Sequence, residues 1–250
     1  MNLYMHAFEP DLSKLMRFAS RERLLPPGGD IGYALHAVLA AAFGTRAPKP
    51  FMWCPPGSRS GGTGGRILCY SHETLGDLCE TATSFADPAA TAIMDLANAE
   101  SKRMPDAFAT GGRLGFRVRV RPVVRTGKDR DGVGSKERDA FIDSVSVSAA
   151  QTNQREACYL EWLRRRLDQG GARLEHGHVD AFALCRLLTR DRSGEKSKRS
   201  APTGPDVTIC GTLVITDPQH FTELLASGVG RFRAFGFGML LLAPPGGRVV

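Results

Sequence analysis

Apolar and polar positions along this chain alternate between strand-like and helix-like spacing in both halves. Residues 1–8 alternate loosely, with Leu3, Met5 and Ala7 set against Tyr4, His6 and Phe8, the spacing of a strand. A polar, arginine-bearing segment follows. Pro26, Pro27, Gly28 and Gly29 then halt regular structure before Asp30, a side chain suited to capping a helix over 31–43 that Gly44 closes. Within that helix Ile31, Leu35, Val38, Leu39 and Ala42 share one face, while Tyr33 and His36 fall on the other. Short apolar runs at 50–54 and 66–71 predict two strands around a Gly/Ser/Pro-rich loop, and residues 87–102 have helical composition. Residues 112–124 alternate apolar side chains with arginine, as a half-exposed strand does.

Strand, helix, strand, strand, helix, strand is the order of a ferredoxin-like βαββαβ unit. Residues 125–150, charged and glycine-bearing without periodicity, read as a linker or insertion. A helix is predicted over 151–169, with Ala157, Leu160, Leu163 and Leu167 inward and Arg164, Arg165 and Arg166 near the negative pole of its dipole; Gly170 and Gly171 stop it. With strands at 172–176, 181–189 and 206–215, a basic loop at 190–205, a helix at 218–225 and a last strand at 237–242, this half can also be folded as βαββαβ by sharing or adding an edge strand. The expected fold is α+β: two tandem ferredoxin-like domains with antiparallel sheets, over 1–124 and 151–250.

The formal charge is +7, and arginine outnumbers lysine 26 to 7. Guanidinium groups meet phosphate in two-point contacts and stack on bases, so the excess favours a nucleic-acid partner, although a GC-rich genome produces the same ratio. The six cysteines are scattered without a CxxC pair, which argues against a zinc site, and no cofactor is expected. The first residues lack the basic and apolar regions of a signal peptide, and no apolar run reaches the roughly 20 residues of a membrane span. A cytoplasmic protein with reduced thiols and no membrane partner is the expectation.

The segment 228–244, GVGRFRAFGFGMLLLAP, is the most specific. Gly228, Gly230, Gly236 and Gly238 permit positive φ and close backbone approach, so amides of such a loop can line up on a phosphate that Arg231 and Arg233 neutralise. This pattern, with its Leu241-Leu242-Ala243-Pro244 ending, resembles the C-terminal glycine-rich loop of the repeat-associated RAMP superfamily, in particular its CasE-like branch of CRISPR RNA-processing endoribonucleases. Arg231 stands where that family has proline, and Arg233 where it has lysine. The Tyr33-x-x-His36 spacing, the strand Phe116-Arg117-Val118-Arg119-Val120-Arg121-Pro122 and the helix Trp162-Leu163-x-x-x-Leu167 are also similar to family features, in the same order, whereas residues 55–110 match poorly.

The resemblance implies metal-independent cleavage of a CRISPR repeat RNA 3′ of its hairpin, with the product retained and other subunits of an effector complex as partners, in a type I-E system or a type IV relative. In such a reaction a ribose 2′-OH attacks the adjacent phosphate, so one group takes a proton, another returns one to the leaving 5′-oxygen, and cations stabilise the phosphorane. His36 is the candidate for proton transfer, Tyr33 for orienting or relaying, and Arg23, Arg231 or Arg233 for charge. Arg117, Arg119 and Arg121, three positives on one strand face without an acidic partner, are expected to bind the RNA backbone. The basic loop of Arg190, Arg192, Lys196, Lys198 and Arg199 either grips the hairpin or is a disordered loop. The alternatives are a non-cleaving crRNA-binding subunit of an effector complex and a small-molecule enzyme on the same scaffold.

Overall fold

The computed structural model describes residues 2–26, 30–58, 61–125, 137–145, 154–191 and 198–246. The first half is built from β1 (Tyr4–Phe8), α1 (Leu12–Arg21), α2 (Gly32–Phe43), β2 (Phe51–Cys54), β3 (Arg66–Ser71), α3 (Leu75–Phe85), α4 (Pro88–Met94) and β4 (Glu100–Arg103). Its four strands lie in the order β2-β3-β1-β4, every pair antiparallel, which is the ferredoxin-like arrangement. The second half holds β5 (Arg113–Val120), β6 (Val123–Arg125), β7 (Glu137–Asp139), α5 (Ala140–Val145), α6 (Gln154–Gln169), β8 (Ala172–Arg186), β9 (Thr189–Asp191), β10 (Lys198–Ser200), β11 (Thr203–Ile215), α7 (Pro218–Ser227) and β12 (Leu240–Ala243). Here the order is β12-β5-β11-β8, the same arrangement again, so both expected units are present.

One strand changes sides. The alternating stretch at 112–124 was expected to close the first unit, but β5 pairs with β11 and β12 and opens the second. The first sheet is completed by β4, whose four residues, Glu-Ser-Lys-Arg, are all exposed; a polar edge strand carries no apolar alternation and is invisible to a hydrophobic pattern. The polar segment after β1 contains α1, capped by Asp11, whose carboxylate accepts from Lys14 N at 3.0 Å. In α6 the buried residues are Tyr159, Trp162, Leu163 and Leu167, whereas Ala157 is exposed. The two strands expected at 172–176 and 181–189 are one long strand, β8. Its register against β11 shifts at two irregularities, and just before the second, Gly211 lets the backbone of His176 and Gly177 come close. Part of the expected basic loop is the β9–β10 ladder.

Two cores result. One lies between the first sheet and its helices and contains Phe8, Leu35, Leu39, Phe43, Phe51 and Ile67. The other begins on the opposite face of that sheet, with Met52, Leu68 and Tyr70, and runs through Phe116, Val118 and Leu240 to Trp162 and Phe221. The first sheet is therefore covered on both faces, and the two units share a core. Buried Tyr70 donates to the carbonyl of Leu240 at 3.0 Å, fastening β3 to β12. The six cysteines are free, and among the described residues no helix is long and apolar enough to cross a membrane.

His6 is fully buried on β1, with Nδ1 unpartnered and Nε2 3.1 Å from the carbonyl of Glu73. Burial lowers its pKa, so the unfolded chain binds a proton near pH 6.5 that the folded chain refuses. This contribution to stability is complete above that value and is lost as pH falls from it through the lower pKa of the folded state. The urea midpoint should drop between pH 7.5 and 5, and His6→Phe should flatten that drop; an equal drop in the variant would assign the dependence to other groups.

Candidate active site at the domain junction

The polar face of α2 meets the glycine-rich loop. Helix α2 buries Ala34, Leu35, Val38, Leu39 and Ala42 against the first sheet, which leaves Tyr33 and His36 half-buried on its far side, as the spacing predicts. Across from them a short turn, Arg233–Phe235, presents the ring of Phe235. Tyr33 stacks on that ring at 5.7 Å between centroids and 8° between planes, while His36 meets it edge-on at 5.1 Å. Tyr33 and His36 are 6.2 Å apart. Gly32 permits this approach, because a Cβ there would collide with the carbonyl oxygen of Phe235.

All four loop glycines adopt positive φ, between +74° and +85°. They also serve close packing: a Cβ on Gly230 would lie 2.7 Å from the Trp162 ring, and one on Gly228 would lie 2.9 Å from Pro50. The loop therefore wedges between the first unit and α6. Four of its amides are committed internally, Gly228 N to Leu224 O at 2.7 Å, Val229 N to Gly238 O at 2.8 Å, Phe235 N to Phe232 O at 2.8 Å and Gly238 N to Arg119 O at 2.7 Å, and do not point at a ligand. Arg231 and Arg233 are exposed, the first paired with Glu137 at 2.7 Å and the second donating to the carbonyl of Ser227 at 2.6 Å.

The strand arginines are not an unpaired positive face. Arg117 lies 3.4 Å from Asp180. Arg119, 16% exposed, bridges Asp206 through two hydrogen bonds of 2.9 and 2.6 Å and reaches Asp30 at 2.5 Å, with its guanidinium 4.3 Å over the Phe237 ring. Burial opposes its charge, but the two carboxylates more than offset that, and the group is held above its ordinary range. The other oxygen of Asp30 accepts from Gly32 N at 2.6 Å, so Arg119 ties the first turn of α2 to the strand on which the glycine loop rests. Arg121 is buried, donates to the carbonyl of Pro202 at 2.9 Å and lies 5.3 Å over the Phe232 ring. The expectation of three unpaired positives is thus corrected: Arg117 and Arg119 have acidic partners far away in sequence, and Arg121 is spent inside the protein.

Of the remaining candidates, Arg23 is exposed in a left-handed turn after α1. Arg190, Lys198 and Arg199 stand on the β9–β10 ladder, and Arg192 and Lys196 lie outside the described residues. Sequence reasoning missed Lys49, Phe232 and Phe235. With Arg231 and Arg233 they line a groove of about 650 Å³ beside the Tyr33–His36 pair. Phe235 sat inside the glycine motif and could have been singled out; nothing local marks Lys49.

Two ferredoxin-like units joined at a helix-borne tyrosine and histidine and a glycine-rich, arginine-bearing loop define a tandem ferredoxin-like protein with its candidate site at the junction. The chain belongs to the CRISPR associated protein family, whose model matches residues 4–244. The CRISPR-associated endoribonuclease Cse3 of Thermus thermophilus is 30% identical over 146 residues, a match that spans 55% of this chain and 59% of that protein, under two thirds of its length. The fold is that of Thermus thermophilus Cse3 bound to an RNA representing a pre-cleavage complex, with TM-score 0.60 and 21% identity over 98% of this chain and 100% of that one. Cas6e from Escherichia coli gives a TM-score of 0.53 at 19% identity, again over 98% and 100% of the two chains.

Proposed function

We propose that the protein is an endoribonuclease that binds the repeat hairpin of a CRISPR precursor RNA and cuts on its 3′ side. The observation that carries this reading is the convergence of Tyr33 and His36 from one unit with the Arg231–Arg233 loop of the other around Phe235. Family membership and the likeness to an RNA-cleaving relative support it.

In the proposed reaction the 2′-oxygen next to the scissile phosphate bonds to phosphorus, and the P–O5′ bond breaks to leave a 2′,3′-cyclic phosphate. His36 transfers a proton at one of the two oxygens, Tyr33 orients it, and the loop arginines stabilise the charge that builds on the phosphoryl oxygens. Retention of the product and docking with other effector subunits belong to the same reading.

The test is cleavage of the host's own repeat RNA in excess EDTA, with a second substrate carrying 2′-deoxyribose at the scissile nucleotide. Cutting that survives EDTA and stops with the deoxy sugar is the expected result. Tight hairpin binding without any cutting would replace the reading with that of a non-cleaving crRNA-binding subunit.

A further inference from the structure

The groove beside the glycine-rich loop combines two kinds of recognition chemistry in one place. Lys49 is exposed and, among the described residues, has no carboxylate partner. Arg233 donates to the neutral carbonyl of Ser227 and, among the described residues, has no carboxylate partner. Phe232 lines the same groove, half-buried, with its ring 6.4 Å from that of Phe235. Guanidinium groups flank it, Arg121 at 5.3 Å and Arg231 at 5.9 Å. Its backbone is left-handed, φ +62°, a conformation that disfavours a phenylalanine by about 1 kcal/mol and is tolerated where surroundings or function require it.

Cations alone would suit any anion. Cations around a half-exposed aromatic ring suit an unpaired nucleotide, whose phosphate takes the charges and whose base stacks on the ring; bases within a paired stem are stacked on each other and keep their faces hidden. The groove also adjoins the candidate chemistry, because Phe235 lines it and touches both Tyr33 and His36. We propose that it is a subsite for one unpaired nucleotide next to the scissile phosphodiester, with the base on Phe232 and the phosphate between Lys49 and Arg233. This rests on the RNA-cleaving reading above and adds to it a requirement for an unpaired base at a defined position.

The experiment uses the full chain and the repeat hairpin made uncleavable by a 2′-deoxy scissile nucleotide, with an abasic site placed in turn at each unpaired nucleotide flanking the cut. One abasic position should weaken wild-type binding by about 5- to 100-fold, the range for loss of one base–aromatic stack. In Phe232→Ala the same abasic site should change affinity less than about 2-fold, since the partner ring is already gone, while Phe232→Trp should keep the wild-type dependence. Lys49→Gln, an exposed change that leaves the core alone, should reduce the slope of log affinity against log salt by about 0.7, one single-strand phosphate contact.

If the abasic and Phe232→Ala losses multiply, or if the Lys49→Gln slope is unchanged, the subsite is refuted even when the wild type cuts normally. If all three dependences hold but an unmodified hairpin is never cut, the subsite stands and the endoribonuclease reading falls. Failure of the wild type to bind the hairpin at all would remove both.

Discussion

Replacing His36 with alanine should slow single-turnover cleavage of the repeat RNA by roughly 10²-fold or more, the scale of losing one positioned proton-transfer group, with hairpin affinity nearly unchanged. Binding should survive because the phosphate contacts proposed for the loop and the groove come from Arg231, Arg233 and Lys49. Folding should survive because His36 is half-buried on the polar face of α2, opposite the residues that the helix buries. The companion change Tyr33→Phe keeps the ring stacked on Phe235 and removes the hydroxyl alone, so a fall in rate there measures proton relay or orientation rather than packing. A His36→Ala protein that cuts at the wild-type rate would transfer the chemistry to Arg23, Arg231 and Arg233.

Arg119→Met should lower stability by about 3–5 kcal/mol, the loss expected when one partner leaves a buried ion pair and strands the other. Asp30 and Asp206 are 13% and 16% exposed, and both meet this one guanidinium. A urea titration at pH 7 measures the loss. Neutralising the stranded carboxylates in the triple variant Arg119→Met, Asp30→Asn, Asp206→Asn should recover much of it, because the amide carbonyl introduced at position 30 can still accept from Gly32 N while the uncompensated charge is gone. A loss that the triple variant leaves in place would mean that packing on Phe237, not charge, is what Arg119 supplies. Cleavage should also slow in Arg119→Met at temperatures where the protein is folded, since the link from Asp30 at the start of α2 to the strand under the glycine loop is broken.

The division between local and distant information runs through the same residues. The polar face of α2 was legible because a helical period is a property of consecutive residues, and Tyr33 and His36 sit where the wheel places them. The four loop glycines were legible for a similar reason: a left-handed backbone is a local demand that glycine meets, and each has φ near +80°. The tandem ferredoxin-like order was legible in outline, but not the side to which β5 belongs. That choice depended on β4, an edge strand with no apolar residue to announce it.

By itself, then, the sequence determined the helix that carries the tyrosine and histidine, the turns that need glycine, the twofold βαββαβ order and the family. The tertiary structure alone decided that β5 opens the second sheet, that Arg117, Arg119 and Arg121 are paired or buried, and that Lys49 and Phe232 share a groove next to His36. The reason is distance along the chain: Arg119 finds Asp206 across 87 residues and Asp30 across 89, and no periodicity reports a partner that far away.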